Sequence, residues 1–67
     1  SEAIACYERA VQLAPGNADA QFHLGKALAA QGRTEAAISH LREALRLRPD
    51  HAPARQALQA LGAPPPP

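Results

Sequence analysis

The sequence has few of the residues that build large cores or cross-link small ones. Among its 67 residues there is no Met and no Trp, and there are one Phe, one Tyr and one Cys. A single Cys excludes a disulfide framework within the chain. A chain of this length buries only a modest core, so two ordinary domains are excluded as well.

Charge of one sign and long apolar runs are also lacking. Seven basic residues balance six acidic ones, for a net charge of +1. This near-neutral charge argues against a dedicated nucleic-acid or membrane-surface binder. No apolar run approaches the roughly 20 residues that span a bilayer, so direct membrane insertion is not expected. The compartment is left open, and the lack of a signal-peptide pattern and of paired cysteines favours the cytoplasm.

Alanine is abundant instead, and it is arranged in a repeat. Ala supplies 17 of the 31 hydrophobic residues, and few residues are β-branched, which favours helices over strands. The sequence repeats at an offset of 34 residues, a length typical of a helix–turn–helix solenoid unit. The residues that recur are Ala3, Ile4, Ala10, Leu13 and Pro15, which fall on Ala37, Ile38, Ala44, Leu47 and Pro49.

Four helices are predicted between residues that break or cap helices. Asn17 and Thr34 are the expected N-caps of the second and third helices. Asp50 or His51 is expected to open the fourth, with Pro53 tolerated in its first turn. The predicted helix ends lie at Pro15-Gly16, Gly32, Pro49 and Gly62.

Apolar residues at intervals of three and four mark one face of each helix. Gly25 lies within the second helix, where Gly costs about 1 kcal/mol relative to Ala. This cost indicates a close helix crossing at Gly25, with Ala37 and Ala44 as the expected partners. The predicted faces are Ala3, Tyr7, Ala10, Val11 and Ala14; Ala20, Leu24, Ala27 and Leu28; Ala37, Ile38, Leu41, Ala44, Leu45 and Leu47; and Ala54, Ala57, Leu58 and Leu61.

The order of small and large residues in the second and third helices resembles the tetratricopeptide repeat family. The family's usual Trp is replaced by Gln21, and Leu28 and Leu41 stand at its usual Tyr and Phe positions. The resemblance implies an all-α fold, an antiparallel helix–turn–helix solenoid. The residues that carry it are Leu24, Gly25, Leu28, Gly32, Ala37, Leu41, Ala44 and Pro49.

The resemblance also divides the chain. Residues 1–17 resemble the second helix of a preceding repeat, and residues 18–51 resemble one complete repeat. Residues 52–62 are expected to form a C-terminal capping helix, because Gln59 stands where Gly25 stands in the repeat and would obstruct a following helix. Residues 63–67 form a Pro-rich tail. The first helix would expose apolar surface, which more chain or a partner should cover.

The resemblance implies a protein–protein interaction module, a scaffold or adaptor that binds a peptide or protein in a concave groove. The implied groove residues are Asp19, Phe22, Lys26 and Ala29 on the second helix and Gln56 on the fourth. Phe22 lies off the apolar stripe beside a cation, so it could anchor a peptide. The alternative is that Phe22 packs between adjacent helices.

Two other functions stay open. The chain could be the non-catalytic solenoid end of a larger enzyme, such as a glycosyltransferase or hydroxylase, or a structural subunit of a large assembly. The family subtype that grips a terminal carboxylate is disfavoured, since Phe22 and Lys26 supply at most one of its Lys and Asn residues. The Asn ladder of the sugar-transferase branch is not supported, because His23 stands at the matching position.

No residues with a catalytic or cofactor-binding arrangement are found. His23, His40 and His51 lack the local spacing of metal ligands, so solvated or capping roles are expected and no metal site is predicted. Cys6 has no neighbouring basic cluster that would activate its thiol. The sequence thus predicts no enzyme activity for these residues.

Two segments have an unusual amino-acid composition, and each allows a functional and a purely structural interpretation. Arg42, Arg46, Arg48 and Arg55 could form a patch for an acidic partner, but a solvated outer face is favoured at this charge density. The Pro64–Pro67 run could dock in a polyproline-binding groove, but a linker is favoured because flanking aromatic or basic residues are missing.

Overall fold

The computed structural model describes residues 2–63, and within them the chain forms four α-helices and no β-strand. The helices are α1 (Glu2–Leu13), α2 (Ala18–Ala30), α3 (Thr34–Leu47) and α4 (Ala52–Ala60). The predicted all-α class is confirmed. Ser1 and the predicted linker Pro64–Pro67 lie outside the described residues.

Each helix packs on its neighbours in sequence. The most extensive contact joins α2 and α3, α1 packs on α2, and α4 packs on α3 and also touches α2. Short connections turn the chain back between helices, which gives the helical-hairpin arrangement of a solenoid. None of the helices in residues 2–63 is both long and apolar enough to cross a membrane.

Asn17 caps α2 as predicted. Its side-chain oxygen accepts hydrogen bonds from the backbone N–H groups of Asp19 at 3.0 Å and Ala20 at 3.3 Å. These bonds satisfy donors that have no partner within the helix. At the other end, Gly32 has φ of 79°, and the Arg33 N–H donates to the Leu28 carbonyl. This left-handed C-terminal turn is the one that glycine favours.

The predicted N-cap of α3 is wrong by one residue. The Arg33 carbonyl accepts the Ala37 N–H at 3.0 Å, so Arg33 occupies the cap position and Thr34 is already inside the helix. No side-chain hydrogen bond caps this end. Because a cap must have non-helical backbone angles to reach the following N–H groups, Thr34 cannot serve as one.

Replacing the two residues by Ala should give different results. Asn17→Ala is expected to lower the free energy of unfolding by about 1 kcal/mol, because two capping bonds are lost. Thr34→Ala, the matched control, should change it by less than about 0.5 kcal/mol. Urea unfolding followed by circular dichroism measures both. Equal effects of the two substitutions would contradict the assignment of the caps.

The core consists of two clusters that meet across α2 and α3. The larger cluster joins the start of α2 to the second half of α3 and to α4, and the smaller joins α1, α2 and the start of α3. The faces predicted for α2, α3 and α4 are buried or half-buried. The buried members are Ala18, Leu41, Ala44, Leu45, Ala54 and Leu58 in the larger cluster, and Ile4, Leu24, Leu28 and Ala37 in the smaller.

The face predicted for α1 is partly wrong. Ile4 is buried, and Tyr7 and Val11 are half-buried against α2, whereas Ala3 and Ala14 are exposed. Ala3 lies at the start of α1 and Ala14 follows its last residue, and both are exposed although their spacing places them beside Tyr7. Leu13 is 77% exposed, so apolar surface is exposed at the C-terminal end of α1, as expected.

The close crossing at Gly25 is confirmed, with one change of partner. A Cβ placed on Gly25 would lie 2.7 Å from Leu41 Cγ and 3.1 Å from the Ala37 carbonyl oxygen. Ala37 is thus a partner as predicted, but Leu41 takes the place expected for Ala44. Leu41 lies one turn beyond Ala37 on the same face of α3, so its side chain covers the Gly25 backbone.

Candidate functional site

Four of the five predicted groove residues share one face of α2. Asp19 and Lys26 are exposed, and Phe22 and Ala29 are half-buried. The structure brings Lys26 and Phe22 together, with Lys26 Nζ 5.6 Å from the centroid of the Phe22 ring. This distance allows a cation–π attraction.

The fifth predicted residue stands apart. Gln56 is exposed on α4, and within residues 2–63 no side-chain hydrogen bond joins it to the α2 residues. Its place in a common groove therefore stays a prediction.

Four rings form a continuous row in the order Tyr7, His23, Phe22 and His51. His23 stacks on Tyr7 with ring centroids 5.6 Å apart, and Phe22 lies 5.2 Å from His23 and 5.1 Å from His51. The row runs from α1 across α2 to the start of α4. Phe22 also packs against the larger core cluster. Phe22 is therefore held between helices while part of its ring stays accessible.

The row borders an open cleft between α1 and α2. The cleft has a volume of about 270 Å³ and is lined by Tyr7, His23, Lys26, Ala27 and Ala30. Its lining combines a cation and two polar rings with small apolar side chains. None of the ion pairs in the described part of the chain involves Lys26, so its charge is available to a partner.

Asp19 is bound to a residue that sequence reasoning did not pair with it. His51 Nε2 lies 2.8 Å from Asp19 Oδ1. This hydrogen bond lowers the pKa of the Asp19 carboxyl below its usual range, and attraction to positive charge on His51, Arg48 and His23 adds to the effect. Asp19 lies in the first turn of α2, and His51 directly precedes α4. Both are first helices of a repeat, and this correspondence was the signal in the sequence that could have indicated the contact.

His51 also caps α4. Its Nδ1 accepts the backbone N–H of Ala54 at 3.2 Å, which settles the choice between Asp50 and His51 as the residue that opens the helix. Because Nδ1 accepts, the proton of the neutral ring is assigned to Nε2, which then donates to Asp19. The His51 residue is only 6% exposed.

The amino-acid sequence of residues 1–52 matches a family model described as "Tetratricopeptide repeat". The chain belongs to the tetratricopeptide repeat family. It is similar to the TPR repeat-containing thioredoxin TTL4 of Arabidopsis thaliana, with 43% identity over 61 residues. The match covers 91% of this chain and 9% of that protein, so the chain spans a small part of its relative's length. No solved structure matches the chain.

Tetratricopeptide repeats generally serve as protein-interaction modules that bind proteins or peptides, and they are typically non-catalytic. In this repeat the family's Trp position holds Gln21, which is buried. Its amide nitrogen donates to the Pro15 carbonyl at 3.4 Å, and its amide oxygen lies 2.8 Å from His40 Nδ1. A polar bridge between α2, α3 and the preceding turn thus takes the place of the usual indole.

The three histidines have different environments. His51 caps a helix and His23 is exposed, as the expected capping and solvated roles require. His40 is half-buried and bonded to Gln21, so the same expectation is wrong for His40. Cys6 is exposed on α1. Between residues 2 and 63, no three His, Cys, Asp or Glu side chains lie together as a possible metal site.

Three of the four arginines of the predicted patch contact acidic or carbonyl groups of the chain itself, and the fourth, Arg42, is exposed on α3. Arg46 forms an ion pair with Glu43, and their hydrogen bond lowers the pKa of Glu43 and raises that of Arg46. Arg48 lies 3.9 Å from Asp19 and 4.0 Å from Asp50. Arg55 donates to a backbone carbonyl. These contacts favour a solvated outer face over a patch reserved for an acidic partner.

Proposed function

We propose that the α2 face of this repeat binds a peptide or protein partner. The observation that carries the proposal is the partly buried Phe22 beside Lys26, whose ammonium group has no ion-pair partner among the described residues. Aromatic side chains that are held in place contribute strongly to binding because little side-chain entropy is lost. The close packing at Gly25 fixes the position of α2, which carries Phe22 and Lys26.

The same face suggests what the partner supplies. An apolar side chain would cover the exposed part of Phe22, and a carboxylate beside it would pair with Lys26. Ala29 allows close approach one turn further along the helix. Asp19 is already bonded to His51, so it contributes less to the partner than the sequence suggests. Gln56 would extend the surface onto α4.

A capture experiment with matched variants tests this proposal. Phe22→Ala and Lys26→Glu are each expected to reduce retention of partners from a cell extract by at least about tenfold, since interface anchors are worth about 2 kcal/mol or more. Arg42→Glu makes the same charge reversal on the exposed side of α3 and should retain them. Circular dichroism must show that all variants remain folded. Undiminished capture by both α2 variants would refute the groove.

Two further proposals concern α1 and α4. The exposed Leu13 of α1 and Ala14, which follows it, would be covered by additional chain or by a partner. Helix α4 would act as a cap for residues 18–51, because Gln59 occupies the position of Gly25 and lies exposed. A further helix that crossed α4 at Gln59 would meet the Gln side chain, whereas the helix that crosses α2 at Gly25 meets no side chain.

A second candidate function is that of a non-catalytic solenoid within a larger enzyme. The relative of which the chain covers 9% is named a thioredoxin, and this name favours the proposal. Glycosyltransferases and hydroxylases are the alternatives considered from the sequence. The complete gene sequence separates an enzyme from an adaptor or a structural subunit, because a catalytic domain would be encoded beside the repeat.

A further inference from the structure

Both ring nitrogens of His51 are committed in the docked structure. Nδ1 accepts the Ala54 N–H at the start of α4, and Nε2 donates to the Asp19 carboxylate of α2. The Phe22 ring lies 5.1 Å from the imidazole. One buried side chain therefore links the α4 N-terminus, the α2 face and the proposed peptide anchor.

The hydrogen bond from the Ala54 N–H requires an unprotonated Nδ1 on His51. A second proton on Nδ1 would point at the Ala54 N–H, so two donors would face each other and the cap would be lost. The positive end of the α4 dipole also disfavours a cation at this place, and no acidic residue lies in the first turn of α4 to offset it.

The other charged groups around His51 do not remove this conflict. From α2, Asp19 would attract an imidazolium, but its carboxylate is 60% exposed and is shared with Arg48. His23, also on α2, and Arg48, which follows the last residue of α3, would both repel it when charged.

Two more charged residues lie on the connection and on α4. Asp50 carries its carboxylate in solvent, 86% exposed, and 4.0 Å from Arg48. Arg55 is the charged residue of α4, and its guanidinium donates to the Pro49 carbonyl at 3.0 Å. Neither residue places a buried negative charge beside the imidazole. Protonation of His51 would therefore still disrupt the hydrogen bond that caps α4.

We propose that His51 is a pH-sensitive latch, which docks the N-terminal end of α4 on α2 when neutral and releases it when protonated. Once His51 swings out to solvent, α4 loses its cap and Phe22 loses one of its covering rings. The effect on partner binding rests on the proposed function of the α2 face, but the latch itself does not.

Amide hydrogen exchange of the whole chain tests the latch without any partner. The protection factor of the Ala54 amide, corrected for the intrinsic pH dependence of exchange, is expected to fall at least about tenfold between pH 7.5 and pH 5. His51→Asn keeps a capping oxygen without a titrating group, so its Ala54 protection should not change.

The lowered pKa of Asp19 keeps its carboxylate ionised throughout this range, so a change between pH 7.5 and pH 5 does not arise from Asp19. Constant Ala54 protection in the unmodified chain would overturn the proposal, and so would a full response in His51→Asn. Nitrogen NMR of the imidazoles gives a check that needs no variant. It should show His51 protonated at Nε2 alone at pH 7.5, and the opposite tautomer would also overturn the latch.

Discussion

Leu41→Ala is expected to lower the free energy of unfolding by about 2 to 5 kcal/mol. Leu41 is fully buried between α2 and α3 and belongs to the larger core cluster. Its truncation removes apolar contacts and leaves a cavity that the rigid helix crossing cannot close. A domain of this size has a total stability of only about 3 to 9 kcal/mol, so this single substitution should remove a large fraction of it and lower the melting temperature strongly.

The matched control for Leu41 is Leu13. Leu13 is 77% exposed on α1, so Leu13→Ala should change stability by less than about 0.5 kcal/mol. Thermal and urea unfolding followed by circular dichroism measure both variants. A melting temperature that is equally high for Leu41→Ala and Leu13→Ala would contradict the placement of Leu41 at the centre of the fold.

Gly25→Leu is expected to lower the free energy of unfolding by about 1 to 3 kcal/mol through overpacking. Its Cβ alone would lie 2.7 Å from Leu41 Cγ and 3.1 Å from the Ala37 carbonyl oxygen, so a side chain and a backbone must both move. On helix propensity alone, replacing Gly in a helix is favourable by up to about 1 kcal/mol. The two effects have opposite signs, and the overpacking is expected to be the larger because the Ala37 backbone cannot move aside as the end of a side chain can.

Gly16 provides the control for Gly25. A Cβ on Gly16 would meet no atom within 4 Å, so Gly16→Ala should be neutral or slightly stabilising. A double substitution tests the contact itself: Gly25→Ala should be less harmful in the Leu41→Ala background, because the removed Leu side chain leaves room for the new Cβ. An unchanged melting temperature for Gly25→Leu, or strict additivity of the double substitution, would refute the close crossing.

Local chemistry was predictable where neighbours in sequence complete the interaction. Asn17 caps α2 with donors two and three residues away, and Gly32 supplies the left-handed turn that follows α2. The prediction that Thr34 caps α3 was wrong because α3 begins at Thr34, one residue earlier than expected. The position of this boundary depends on how the chain leaves the preceding turn. Such one-residue shifts move a cap without changing the helix.

The face of α1 shows why periodicity alone is insufficient. Both sides of α1 carry small apolar residues, so spacing allows either Ala3 or Ile4 to mark the packed side. The structure buries Ile4 because α2 approaches from that side. The direction of approach is a property of the hairpin as a whole, and the helix pattern does not contain it.

The sequence by itself determined the repeat, the four helices and the demand for a small residue at Gly25, because each follows from spacing along one chain segment. Only the tertiary structure decided that Leu41 fills the space over Gly25, that Phe22 lies within a row of rings, and that Asp19 binds His51. These contacts join residues 16 to 32 positions apart. Their partners are chosen by how helices stack on one another, and such stacking depends on packing across the whole solenoid.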